Sequence, residues 1–170
     1  MKKIVIAAFL TILITSPAFA ALKLNDSVPM FSLRESSGSV FSLSDAVGAT
    51  RKKNGHGIIL GFFASWCVPC RNELPFINSF VDELRNMGIT VVLVDVKEDI
   101  ETVNALLAEL KVDKPVVVVD RDGRTAEKFG VRFFPTIFFI NADGKVKDVL
   151  YGGINGEKEL RQSVQKLLEK

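Results

Sequence analysis

Hydrophobic and polar positions along this chain repeat with a period of two in some stretches and between three and four in others. Within Leu24 to Leu33, Phe31 and Leu33 alternate with polar neighbours, and Val40-Phe41-Ser42-Leu43 alternates again after Ser36-Ser37-Gly38-Ser39. Two such runs about a Gly/Ser turn predict a β-hairpin, and Ser44 to Val47 predicts a helical turn. Gly57 to Ala64 is continuously apolar and of strand length, as expected of a central strand covered on both faces. Ile77, Phe80, Val81 and Leu84 then recur at helical spacing, predicting an amphipathic helix that ends near Gly88 and is kinked by Pro75.

Ile89 to Val96 predicts a second buried strand, rich in β-branched residues. Ile100, Val103, Leu106, Leu107 and Leu110 mark another helix, Pro115 to Val119 a third strand, and Thr125 to Phe129 a brief helix closed by Gly130. Thr136 to Ile140 and Lys145 to Tyr151 flank the turn Asn141-Ala142-Asp143-Gly144, predicting a second hairpin. Gly152-Gly153 permits a chain reversal before a terminal helix carrying Leu160, Val164, Leu167 and Leu168, with Asn155 as its expected cap. The order predicts an α/β fold with a mixed sheet and helices on both faces, in one domain over residues 21–170.

The first twenty residues follow a different logic. Lys2 and Lys3 precede an uncharged apolar run from Ile4 to Ile14, and Ala18-Phe19-Ala20 has the small-x-small form of a cleavage site. Eleven apolar residues fall short of the ~20 that span a bilayer. The expectation is a signal peptide over residues 1–20, cleaved after Ala20, with an uncleaved anchor as the alternative. Lys2 and Lys3 account for the whole difference between 22 basic and 20 acidic residues. The remaining chain is balanced and offers no argument for a nucleic-acid partner.

Export would place the two cysteines, Cys67 and Cys70, in an oxidising compartment. So close a pair is open to a structural bridge, to metal ligation or to redox work. A bridge across two intervening residues closes a very short loop and removes little entropy from the unfolded chain. Metal ligation needs further ligands, yet His56 is the only histidine and no second cysteine pair exists. Redox chemistry fits the position best, because the pair falls where a strand meets a helix. Unpaired N–H groups and the helix dipole there favour a thiolate at Cys67. Cys67 is therefore expected to be the exposed nucleophile, with a pKa in the ~3.5–7.5 range of such sites. Cys70, one turn further in, is expected to be the shielded resolving thiol.

Pro69 suits an early helical position. Trp66 either packs beside the sulfurs or is purely structural. Glu73 lies one turn beyond Cys70, where a carboxylate could move a proton or raise a thiol pKa by repulsion. Spacing alone favours a solvated helix charge at Glu73.

Trp66-Cys67-Val68-Pro69-Cys70, the buried strand before it and Phe134-Pro135-Thr136 entering another strand together resemble the thioredoxin superfamily. The stretch Leu24 to Leu33, the added helix and strand between Asp99 and Val119, and Cys-x-x-Cys-x-x-Glu-Leu-Pro ending at Pro75 resemble its TlpA/ResA-like branch. That resemblance implies a thioredoxin-like fold with an N-terminal β-hairpin and a central helix-strand insertion. It assigns Cys67 and Cys70 to the redox pair and Pro135 to a cis-proline facing the disulfide, with the Phe134 backbone offered to an extended substrate. Trp66, Val68 and Pro69 would complete the substrate surface, and Glu73 matches an acidic residue implicated in proton handling. Gly61 stands where thioredoxin has a buried aspartate, which makes Glu73 the first candidate for that task.

The implied function is an exported thiol-disulfide oxidoreductase, acting as a reductase of protein disulfides with no cofactor or metal beyond its own dithiol. Its implied partners are client disulfides, apocytochrome c among them, and a membrane electron donor of the DsbD/CcdA type. The alternatives are a disulfide oxidase or isomerase, a peroxidase, and a non-enzymatic binding module. A peroxidase of this fold would carry Thr-x-x-Cys, which Ala64-Ser65-Trp66-Cys67 lacks.

Overall fold

The computed structural model describes residues 21–51 and 55–169. The expected signal peptide over residues 1–20, and residues 52–54 of the polar loop before Gly55, lie outside the described residues. Seven strands form one sheet: β1 Ser32–Glu35, β2 Val40–Ser42, β3 Gly57–Phe63, β4 Ile89–Val96, β5 Val116–Asp120, β6 Thr136–Asn141 and β7 Val146–Tyr151. Their spatial order is β2-β1-β5-β4-β3-β6-β7. β3 pairs parallel with β4 and antiparallel with β6, and β4 pairs parallel with β5. The β1–β2 hairpin adds antiparallel to the outer side of β5.

Every residue of β3 is buried, which is why its sequence shows no alternation. Its side chains still divide by parity. Ile59 and Phe63 face the helices α1 Val68–Asn86, α2 Ile100–Leu110 and α4 Glu157–Leu168. Ile58, Leu60 and Phe62 face α3 Arg124–Lys128, the 3₁₀ turn Leu43–Asp45 and the N-terminal Val28 and Phe31. Helices therefore cover both faces, as the element order predicts, and α2 with β5 forms the expected helix-strand insertion. Phe62, Phe129 and Phe138 meet at centroid distances of 5.3–5.9 Å in one of the two cores.

Two local details differ from the expectation. The first strand starts only at Ser32; upstream, Ser27 makes a single bridge to Lys145 instead of a ladder. The cap of α4 is Gly156, at φ +88°, with no side-chain bond, while Asn155 gives its backbone N–H to Glu159 Oε2 at 2.5 Å. A reaching-back carboxylate thus satisfies the N–H of the residue before the cap, and no side chain caps the first turn. Helix α1 runs on through Pro75, whose exposed ring faces away from the buried stripe Cys70, Leu74, Ile77, Val81 and Leu84.

Candidate active site

Cys67 is the N-cap of α1, and its Sγ accepts the backbone N–H of Cys70 at 3.3 Å. Val68 and Pro69 are the first two helical residues, so the proline sits where a missing N–H costs nothing. The two sulfurs are joined in a disulfide with Cα atoms 5.3 Å apart. Cys70 is completely buried and Cys67 is 5% exposed. The order of exposure agrees with the expected asymmetry, but Cys67 shows solvent only a sliver in the oxidised form. Both cysteines are part of the core that α1 builds on the sheet.

What stands open around them is apolar. Trp66 is 69% exposed, Val68 67% and Phe133 67%. Trp66 meets Phe134 edge-on at 5.8 Å, which brings the loop before β6 beside the loop before α1. The Phe134–Pro135 peptide is cis. Pro135 is buried and its carbonyl accepts the Gly152 N–H at 2.8 Å. Pro69, Asn72, Glu73, Phe76, Pro135 and Ile154 line a cleft of about 170 Å³. The segment Trp66 to Cys70, which holds the disulfide, is thus brought beside Phe134 and Pro135 from far along the sequence, through the Trp66–Phe134 contact and the cleft shared by Pro69 and Pro135. Phe133 belongs to the same surface, and its neighbour in the Phe-Phe-Pro run was the only available hint.

Glu73 is not a solvated helix charge. Its carboxylate is turned to the reversal between β7 and α4, where Oε1 accepts the Ile154 N–H at 2.6 Å. Burial raises its pKa to about 7; the Ile154 N–H opposes the rise and the charge of Glu159 adds to it. A carboxyl that titrates near neutrality within the same cleft as Pro69 and Pro135 has the acidity of a proton carrier. At Gly61 a side chain would be tightly packed: an added Cβ would lie 3.2 Å from Leu93 Cδ2.

A second buried carboxyl, Asp95, lies on β4 across from Phe63. Burial first, then the bond and charge of Glu98, push it up to about 8; the Glu98 N–H opposes this and Asp120 reinforces it. The sequence signal was a lone carboxylate in an otherwise apolar strand. Among the described residues, no group of three His, Cys, Asp or Glu side chains is placed to hold a metal ion, and no helix is long and apolar enough to cross a membrane.

Glu73 and Asp95 have a common consequence for stability. Each binds its proton more tightly folded than unfolded, so its contribution is full below about pH 4 and lost as pH rises through the folded value. Asp99, bonded by the Thr102 N–H, is lowered, and Asp148, although desolvation opposes it, is held low by Lys166 and Ser163. Those two act in reverse, losing their contribution only in acid. Stability of the oxidised protein should therefore decline between about pH 5 and 8, by on the order of 1 kcal/mol per pH unit for each buried proton lost. Urea unfolding across that range tests this; a flat or rising trend would contradict it.

A helix-capping disulfide among exposed aromatic residues, on this sheet, defines a thioredoxin-like thiol-disulfide oxidoreductase. The chain belongs to the Redoxin family, whose sequence model matches residues 23–166. It is 32% identical over 124 residues to the thiol-disulfide oxidoreductase ResA of Bacillus subtilis, covering 73% of this chain. The match spans 65% of the length of that relative. Identity to ResA of Geobacillus thermodenitrificans is 29%, over 75% of this chain and 74% of the relative. The crystal structure of a putative thiol:disulfide interchange protein DsbE from Chlorobium tepidum superposes with a TM-score of 0.76 at 31% identity. That superposition covers 88% of this chain and all of the other.

Proposed function

We propose that the protein is an exported reductase of protein disulfides. The observation that carries this is the helix-capping Cys67, the only residue of the pair with any exposure, set among exposed apolar side chains that suit a peptide segment. With the dithiol reduced, the Cys67 thiolate attacks one sulfur of a client disulfide. A Cys67–client disulfide forms, and the client's other sulfur leaves as a thiolate and takes a proton. The Cys70 thiolate then attacks Cys67 Sγ, closing the Cys67–Cys70 disulfide and releasing the second client thiolate. The client gains two electrons and this protein loses them. Glu73 takes the proton from Cys70 as it becomes the attacking species. A donor dithiol reverses the exchange and restores the reduced form.

Export rests on the charged start, the apolar run and the Ala18-Phe19-Ala20 site. Apocytochrome c as a client, and a membrane donor of the DsbD/CcdA type, rest on the likeness to ResA alone. The reductase direction predicts an equilibrium potential nearer ~−270 mV, typical of reducing dithiols, than the ~−120 mV of a strong oxidant. Equilibration with defined thiol-disulfide buffers measures it. A value close to the oxidising end would reverse the proposed direction of electron flow.

A further inference from the structure

On the face of the sheet that carries α1, β4 holds one polar side chain beyond Val91 and Leu93: Asp95, wholly buried. Neither of its oxygens accepts a well-formed hydrogen bond from any donor among the described residues. The ionisable group that acts on it most strongly is Glu98. Both oxygens of Glu98 are already engaged by Ser65, from the backbone N–H at 2.6 Å and from the hydroxyl at 2.5 Å. Asp120, the other carboxylate acting on Asp95, is occupied at the start of α3 by the N–H groups of Thr125 at 3.1 Å and Ala126 at 2.8 Å.

Two ionised carboxylates have no proton with which to bond each other. A contact between Asp95 and Glu98 becomes a hydrogen bond only when one keeps its proton. Glu98, supplied with two donors by Ser65, is the better anion, so the proton belongs to Asp95. As a carboxylate Asp95 has only the Glu98 N–H acting in its favour and no well-formed hydrogen bond; as an acid it also has an acceptor in the Glu98 carboxylate. The acidities agree with this division. Asp95 is raised, while Glu98 is lowered: desolvation opposes the lowering, and the bonds from Asp95 and Ser65 outweigh it.

We propose that Asp95 is a positioning residue of the active-site loop: as a neutral acid it donates to Glu98, which clamps Ser65 and thereby holds the Ser65-Trp66 turn that presents Cys67. Loss of that one proton sets Asp95 against Glu98 and Asp120 and loosens the clamp. The device does not depend on the direction in which electrons flow.

Trp66 is the only tryptophan of the chain, so its fluorescence reads the turn directly. The oxidised protein should be titrated with Glu73→Gln in place, which removes the other carboxyl that titrates near neutrality. The expected result is a one-proton change in Trp66 emission on the alkaline side of neutrality. Asp95→Asn, whose amide donates to Glu98 at every pH, should lose the transition and keep the low-pH emission throughout. Glu98→Gln should lose it as well. The carboxyl ¹³C resonance of Asp95 in the otherwise unchanged protein follows the same proton without depending on how any Asp95 variant folds. A carboxyl that titrates below about pH 5, or a Trp66 transition that survives in Asp95→Asn, would overturn the proposal.

Discussion

Replacing Cys67 with serine is expected to reduce disulfide exchange to background, a loss on the order of a hundredfold or more, because a hydroxyl does not ionise as a nucleophile near neutrality. Cys70→Ser should fail differently. Cys67 would still attack, since its sulfur caps α1 and is stabilised by the Cys70 N–H and the helix dipole. No second thiolate would then be present to release the client. A Cys67–client disulfide should accumulate and be recoverable under non-reducing conditions. The asymmetry follows from burial: Cys70 has no exposed surface through which a client could reach it. Insulin reduction measures the first loss, and gel shift with mass analysis measures the trapped adduct. Full activity in Cys67→Ser, or no adduct with Cys70→Ser, would remove the dithiol mechanism.

Gly153→Ala is expected to damage stability and site together. Gly153 lies at φ +101°, and a Cβ there would stand 2.7 Å from Glu73 Oε1 and 3.2 Å from Pro135 Cγ. The backbone strain alone is worth roughly 1–3 kcal/mol. The crowding adds to it by pushing the Glu73 carboxyl off the Ile154 N–H, which now opposes the rise in its pKa. Gly152→Ala is the matched control: its φ is +84°, and nothing lies within 4 Å of the added Cβ. Gly152→Ala should therefore cost the strain and leave the Glu73 titration alone. Gly153→Ala should cost more and move that titration to higher pH. Equal effects from the two variants would mean that Glu73 is not held by this reversal. Urea unfolding and the pH dependence of exchange separate the outcomes.

The strands and long helices were legible because burial on both faces leaves a continuous apolar run, as in Gly57 to Phe63, and burial on one face leaves a stripe, as in α1. Short elements and caps were less so. Val28 and Phe31 are as buried as strand residues, yet they pack beneath the sheet without joining its ladder. At the start of α4 the helix begins one residue later than the asparagine suggests, with Gly156 as cap and Asn155 bonded through its backbone N–H to Glu159.

The site divides in the same way. Cys67, Pro69 and Cys70 are neighbours along one helical turn, so their relation follows from local geometry and could be read directly. Glu73 could not, since the N–H that binds it belongs to Ile154, 81 residues away. Glu98 meets Ser65, and Asp95 lies across from Phe63, only because β3 and β4 lie parallel and end together. Sequence by itself determined the elements, their order and the identity of the redox pair, because local periodicity and close spacing carry that information. The acidity of Glu73 and Asp95, the burial of Cys67 and the apolar surface around it were decided by tertiary structure. Each depends on how far distant segments exclude water from the same few atoms, and spacing along a chain does not record that.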